Sequence, residues 1–332
     1  MLQKRWSRSI RRERRAKRKN LLPAIMLFCM VLLLLQPQLF GVEIDFYNRI
    51  LALQFPFFYS ASPLFEQTPP PEEIKADIDE DVGDFFRIEL AEVRRAENVV
   101  LAQDAPSVLI YHTHTTEAYR QNPLAPYEES GEWRTHDAQK SVVAVGDKLA
   151  GLLRDEYGLN VIHDTTDHEP PKLSTSYSRS VLTMEAYKER YPSITMFIDV
   201  HRDAYGKEEG KKDFIVVDGK ENARLMFVVG TGEGATGSGF KEMPDFKANY
   251  ALAAAISTRL RQIHPELARD VRVKAGRYNQ HISSQCLLVE VGHNMNTLEQ
   301  AMNAVDHLAR AIGGIVTQQK TGSGGTLMAF PE

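Results

Sequence analysis

From residue 105 onward, short apolar runs alternate with stretches of helical periodicity, and this alternation constrains the fold more than any other feature. The apolar runs cover residues 108–111, 160–163, 194–200, 225–229 and 285–291, and the helical stretches cover residues 138–156, 178–190, 246–264 and 297–317. Compact apolar runs are typical of buried strands, whereas apolar residues every three or four positions indicate helices. The alternation predicts an α/β fold: a single catalytic domain with a mostly parallel central sheet flanked by helices.

Polar side chains come at the carboxyl ends of three of these predicted strands. His112 and His114 follow the first strand, His201 and Arg202 follow the third, and Glu290 lies near the end of the last. In parallel sheets the carboxyl ends of the strands meet at one edge, where ligands bind. We therefore expect these side chains to share one site.

Two histidine nitrogens and a carboxylate with one open position describe a catalytic zinc site. His114 and His201 are the candidate ligands, although their wide separation in the sequence matches no compact motif such as HExxH. Each histidine could instead be a hydrogen-bonded strand-end residue, and His112 could be a ligand, an outer partner or purely structural. A buried lone carboxylate is costly, so Glu290 needs either a nearby cation or a raised pKa suited to a general base.

The N-terminus combines a basic tail with an uncharged segment. Residues 1–20 hold ten Lys or Arg and one acid, Glu13, and residues 21–42 hold no charge. A helix of that length spans about 33 Å, enough to cross the hydrocarbon core of a bilayer. We predict a transmembrane helix at 21–42, a cytoplasmic tail at 1–20 and an extracytoplasmic remainder. A cleaved signal peptide is the alternative, but no small-residue cleavage pattern follows. No nucleic-acid partner is expected.

The remaining segments are predicted from composition. Residues 43–104 contain an aromatic-rich stretch, three consecutive prolines and an acidic stretch, which predict a juxtamembrane region and linker before a catalytic domain at 105–320. Residues 321–332 are predicted to be a flexible tail. Cys29 and Cys286 are the two cysteines of the chain, and their positions predict no disulfide, so the domain must be held by its own core.

Seven segments carry a resemblance to a known family: LIYHTHTTEAY, VVAVGDKLAGLL, YGLNVIHDTTDHE, SYSRSVLTMEAY, IDVHRDA, ARLMFVVG and LLVEVG. In this order, over roughly residues 107–318, the chain resembles the stage II sporulation protein P family of membrane-anchored cell-wall hydrolases. The resemblance implies a domain similar to zinc-dependent N-acetylmuramoyl-L-alanine amidases. It places zinc ligands at His114 and His201 and the catalytic base at Glu290.

The same resemblance leaves the acidic ligand open between Asp137, at the start of the helix predicted over 138–156, and Glu117. It also suggests that Arg179 and Asn279 line the substrate groove, and His112 and Arg202 are further candidates for substrate binding by their position at the strand ends. An alternative for Arg202 is an ion pair with Asp203 that braces their loop.

The activity implied is cleavage of the amide bond between N-acetylmuramic acid and L-alanine in septal peptidoglycan, during engulfment in sporulation. The resemblance also allows cleavage of cross-linked stem peptides, and it implies a lytic transglycosylase and a polytopic membrane protein as partners. Two other hypotheses remain at this stage. The domain could be a non-catalytic wall-binding scaffold that localises other hydrolases, or a metal-dependent carbohydrate deacetylase.

Overall fold

A seven-stranded sheet forms the centre of the computed structural model, which describes residues 76–80, 82, 99–205, 213–233 and 242–319. The strands of the described residues are β1 (Ala76–Ile78), β2 (Val99–Ala102), β3 (Val108–Tyr111), β4 (Val161–His163), β5 (Met196–Asp203), β6 (Phe214–Val217), β7 (Lys220–Ala223), β8 (Leu225–Gly230), β9 (Val271–Lys274), β10 (Gln285–His293) and β11 (Val316–Gln319). The helices are α1 (Val142–Asp155), α2 (Ser176–Arg190), α3 (Phe246–Ile263) and α4 (Leu298–Gly313).

The strand order in the large sheet is β1-β9-β8-β10-β5-β3-β4. Every neighbouring pair is parallel except β8 and β10, which are antiparallel. The predicted α/β fold with a mostly parallel central sheet is therefore confirmed. Because β3, β5 and β10 are adjacent and parallel, their carboxyl ends lie at one edge of the sheet, where the sequence places the candidate site.

Alternate residues of the central strands pack into two separate hydrophobic cores. Ile110 and Ile198 face the larger core, which also takes in α1, α3 and α4, while Leu109 and Phe197 face a smaller core with Met184 of α2. Burying one such side chain contributes about 1.5–3 kcal/mol. This two-sided burial explains why the central strands read as continuous apolar runs.

Side-chain caps set where the helices begin. Ser141 accepts a hydrogen bond from the backbone N–H of Val143, so α1 begins after the predicted start at residue 138. Thr297 and Gln300 form a capping box at the start of α4. That helix ends at Gly313, and residues 316 and 317, predicted as its end, belong to β11 instead.

Two strands lie within the range predicted to be juxtamembrane region and linker. β1 pairs with β9 at the edge of the large sheet, and β2 pairs with β11 in a separate parallel ladder. The folded unit therefore begins before residue 105. β1 is three residues long with partly exposed side chains, so it carries no apolar run that a sequence pattern could detect.

The predicted tail at 1–20, membrane segment at 21–42 and C-terminal tail at 321–332 all lie outside the described residues, as does most of 43–104. Among the residues that are described, no helix is both long and apolar enough to cross a membrane. The anchor remains a prediction.

Candidate metal centre

The carboxyl ends of β3, β5 and β10 bring His114, His201 and Glu290 together. Glu290 on β10 is the register partner of His201 on β5, and Tyr111 at the end of β3 pairs with Asp199. The rings of His114 and His201 lie edge to face, with centroids 5.4 Å apart. The three strand-end residues predicted from the sequence thus share one edge of the sheet.

Glu117 supplies the carboxylate beside the two histidines. Its Oε2 lies 3.4 Å from Nδ1 of His201 and accepts a hydrogen bond of 3.1 Å from the backbone N–H of Arg202. Asp137, the other predicted ligand, is exposed, and its carboxylate accepts a hydrogen bond from Gln139 within its own turn. The geometry therefore favours Glu117.

Asp199 is a further carboxylate of the centre; its place at the end of the same strand as His201 marks it in the sequence as a residue able to bind metal or move protons, without a specific task. Its Oδ1 lies 2.9 Å from Nε2 of His201, although this nitrogen makes no hydrogen bond of good angle. The signal was present in the sequence, because Asp199 and His201 are two residues apart on a strand and so project from the same face.

The two carboxylates give the centre a strong preference for positive charge. Burial lowers the pKa of His201, but attraction from Asp199 and Glu117 outweighs it and raises this pKa well above its usual value. Burial and the charge of His201 lower the pKa of His114. A single positive charge between Glu117 and Asp199 therefore stabilises this arrangement, and a metal cation would meet the same requirement.

Glu290 has no partner for one of its carboxylate oxygens. The Oε2 atom is buried and makes no hydrogen bond. Burial is the main cause that raises the pKa of Glu290 to about 8, with the charge of His201 opposing it and that of Glu117 adding to it. A side chain in this environment binds a proton readily, as a residue that moves protons must.

The donor atoms of the centre fit zinc in kind. Nδ1 of His114 is buried without a hydrogen bond, and an unsatisfied buried polar atom costs about 1–3 kcal/mol. Two imidazoles and the Glu117 carboxylate are a common ligand set for catalytic zinc. In the described ranges, no three His, Cys, Asp or Glu side chains already converge closely enough to hold an ion. Each nitrogen of His201 faces one carboxylate, Nδ1 that of Glu117 and Nε2 that of Asp199.

A cavity of about 550 Å³ opens beside the centre. His114 and Glu117 line this cavity together with Arg134, Lys172, Leu173, Ser174 and Tyr177. Arg134 forms an ion pair of 2.9 Å with Glu169. Lys172 is exposed and has no ion-pair partner among the described residues. The cavity is large enough for part of a peptide or sugar.

Arg179, predicted to bind substrate, instead holds a loop of the protein. Its guanidinium donates to the backbone carbonyls of His168, Glu169 and Lys172. These hydrogen bonds fix the segment that carries Lys172 to the cavity. Because the donors of Arg179 are occupied by these backbone carbonyls, the side chain positions the cavity wall.

Arg202 and Asn279 are also committed to internal hydrogen bonds. Arg202 is buried and donates to the carbonyls of Ala118 and Trp133, so it braces the chain that follows Glu117. Its neighbour Asp203 pairs with Arg269 instead. The Asn279 amide donates to the carbonyl of Tyr177, and Asn279 lines a second cavity of about 310 Å³.

His112 lies behind the centre and away from the cavity. It is fully buried, its Nδ1 donates to the carbonyl of Val200, and its Nε2 lies 2.9 Å from Nε2 of His163. His112 therefore supports the strand end that carries His201. The structure places His114, and not His112, at the cavity.

Three solved structures are similar to this chain. They are N-acetylmuramoyl-L-alanine amidase AmiC2 of Nostoc punctiforme (TM-score 0.37, 15% identity, 64% of this chain and 96% of that chain), an N-acetylmuramoyl-L-alanine amidase from Clostridium difficile 630 (0.37, 15%, 63% and 94%) and Ami1 from Mycobacterium abscessus (0.36, 11%, 63% and 96%). With TM-scores below 0.5, these structures do not decide the family of the chain, which is assigned from sequence similarity instead.

One curated relative and one family model point to the same family. Stage II sporulation protein P of Bacillus subtilis (strain 168) is 30% identical over 221 residues, which are 60% of this chain and 49% of that protein. The chain thus matches about half the length of this curated relative. The model of the family Stage II sporulation protein P matches residues 60–313. The chain belongs to the Stage II sporulation protein P family.

Proposed function

We propose that this protein is a zinc-dependent peptidoglycan amidase that cuts the bond between N-acetylmuramic acid and L-alanine. One observation carries the proposal. His114, Glu117 and His201 meet at one edge of the sheet, beside a Glu290 carboxylate whose Oε2 is buried without a partner. This is a set of ligands with a group beside it that can accept and donate a proton.

Each side chain has a separate task in this proposal. His114, Glu117 and His201 would hold the ion. When bound, zinc polarises the amide carbonyl and acidifies a water molecule. Glu290 takes the proton from the attacking water and returns it to the leaving nitrogen. Its raised pKa favours the second transfer, and the positive charge of a nearby cation lowers that pKa for the first.

The positive charge on the cavity wall favours an anionic peptide as the part of the substrate that binds there. Lys172 lies on its wall without an acidic partner among the described residues. Stem peptides carry free carboxylates, and an ammonium group attracts them. Cleavage of cross-linked stem peptides belongs to the same proposal, because it uses the same ligands and the same proton carrier.

The cellular setting is proposed from the sequence. The uncharged segment at 21–42 would anchor the chain by one span, with the basic tail inside the cell and the enzyme domain outside it. Family membership supports a role in sporulation. Action on the septal wall, beside a lytic transglycosylase and a polytopic membrane protein, is proposed from the resemblance of the sequence segments to this family. Protease treatment of intact protoplasts should digest residues 76–319 and leave the N-terminal tail protected.

The activity is tested with Glu290→Gln in the full-length protein, incubated in detergent with purified sacculi. The substitution keeps the size of the side chain but removes its proton chemistry. We expect unchanged zinc content and wall binding, and a loss of about 10²–10⁴-fold in the release of stem peptides with new L-alanine amines. Glu266→Gln, at an exposed position, is the matched control and should release peptides normally.

Three outcomes would contradict the amidase. Normal peptide release by Glu290→Gln would remove the proposed mechanism. Wall binding without any peptide release by the wild type, whether or not zinc is chelated, would favour the scaffold. Release of acetate without new peptide amines would favour the carbohydrate deacetylase.

A further inference from the structure

Asp199 lies beneath the two histidines and is held from the side of β3. Its Oδ1 accepts a hydrogen bond of 2.8 Å from the backbone N–H of Thr113, and its Oδ2 accepts one of 2.6 Å from the Thr113 hydroxyl. Only 1% of Asp199 is exposed. Because Thr113 immediately precedes His114, one carboxylate ties together the strand ends that carry both histidines.

The same carboxylate is supported by a longer chain of polar groups. The Thr113 hydroxyl lies 2.9 Å from the hydroxyl of Ser180 on α2. The Ser180 hydroxyl accepts a hydrogen bond of 3.0 Å from the amide of Asn279. A buried network whose members are satisfied is rigid, so Asp199 has a fixed position and orientation.

His201 presents a different nitrogen to each of two carboxylates. Nε2 lies 2.9 Å from Asp199 Oδ1, and Nδ1 lies 3.4 Å from Glu117 Oε2. Two ligand atoms of a tetrahedral zinc ion, each bonded at about 2.0–2.1 Å, lie about 3.3 Å apart. The separation of Nδ1 and Oε2 would therefore allow both atoms to bind one ion. Nε2 is within hydrogen-bond distance of Asp199 but not aligned with it, so the ring must rotate for Nε2 to donate in line.

We propose that Asp199 is a positioning residue that holds the Nε2–H of His201 and thereby leaves Nδ1, on the side of Glu117, to bind the metal. The inference rests on the metal centre of the proposed function. Metal-binding histidines almost always donate their other ring N–H to a carboxylate, a carbonyl or water, and loss of that partner typically costs 10–100-fold in metal affinity or activity. Thr113, Ser180 and Asn279 act through Asp199.

The first test measures zinc affinity of the full-length protein in detergent by competition with a chelator. Asp199→Asn keeps an oxygen that can accept from Thr113 but removes the negative charge, and we expect zinc to bind about 10–100-fold more weakly. Thr113→Val removes the donor to Oδ2 and should weaken zinc binding several-fold. Asn249→Ala is the control, because Asn249 is fully buried and its side chain bonds to Gln280 and Cys286, away from the centre. That variant should lower the Tm and leave zinc affinity unchanged.

Two results would overturn the proposal. Unchanged zinc affinity in both Asp199→Asn and Thr113→Val would show that the carboxylate has only a structural role. Loss of zinc by Asp199→Asn as complete as that caused by His201→Ala would make Asp199 a ligand.

A second test needs no substitution that could impair folding. In zinc-loaded wild-type protein with ¹⁵N-labelled histidine, the NMR signals of His201 should show the proton on Nε2 and the metal on Nδ1. The reverse assignment would overturn the proposal. Neither test depends on hydrolysis, so a protein that binds zinc in this manner but leaves peptidoglycan intact would contradict the amidase and not the role of Asp199.

Discussion

Glu290 and His201 are direct register partners on the adjacent parallel strands β10 and β5. Their proximity is therefore set by backbone hydrogen bonds of the central sheet and does not depend on a flexible loop. A shift of register by one residue would turn one of the two side chains to the opposite face. The pairing of the central strands thus places the proposed proton carrier beside a proposed ligand.

Substitutions of Glu117 and Asp137 should have different effects on zinc affinity. Glu117→Gln removes a buried carboxylate beside His201, and we expect zinc affinity to fall by more than the roughly 10–100-fold that loss of an outer partner costs. Asp137→Asn alters an exposed turn and should leave zinc affinity unchanged. Chelator competition on both variants checks this. Zinc loss in Asp137→Asn alone would restore Asp137 as the ligand.

Alanine in place of each of two glycines of α1 should change the stability of the fold in opposite directions. A Cβ at Gly146 would lie 2.6 Å from Nε2 of His112 and 2.9 Å from Nε2 of His163, whereas a Cβ at Gly151 would meet no atom within 4 Å. Gly146→Ala should destabilise the fold by about 1–3 kcal/mol through overpacking. Gly151→Ala should stabilise it by about 0.5–1 kcal/mol, as expected inside a helix. Urea unfolding of both variants measures the difference, and equal effects would contradict the close packing at Gly146.

His281 makes the fold sensitive to acid. Burial, reinforced by the charge of Arg277, lowers the pKa of His281 to about 4, below the value of about 6.5 expected in the unfolded chain. Between these values the unfolded state binds a proton that the folded state does not, so stability falls as the pH falls from about 6.5 to about 4.

His281→Gln removes this titration. We expect the variant to lose less stability than the wild type between pH 7 and pH 4.5, as measured by the Tm at each pH. Equal losses in the two proteins would show that His281 titrates normally in the folded state.

The strand ends of the site could be predicted from the sequence because three buried apolar runs each finish in residues able to bind metal. Runs such as Val108–Tyr111 are continuous because both faces of the sheet are covered, and this makes them visible in one sequence. β1, β2, β9 and the hairpin of β6 and β7 were missed, because their strands are short and partly exposed.

Side-chain partners were less predictable than strand positions. Arg179, Arg202 and Asn279 are polar residues near the site, but each is bonded to the protein's own backbone, and no sequence pattern records which carbonyl a donor will reach. The choice between Glu117 and Asp137 depended in the same way on the path of the loop after β3. That loop is fixed by contacts with Arg202, far along the chain.

Zinc content of the purified full-length protein tests the central claim most directly. The wild type should hold one zinc ion per chain, and His114→Ala and His201→Ala should each hold much less while keeping a cooperative unfolding transition. The exposed residue His136, changed to Ala, is the control and should retain zinc. Unchanged zinc content in both His114→Ala and His201→Ala would contradict the metal centre and the mechanism built on it.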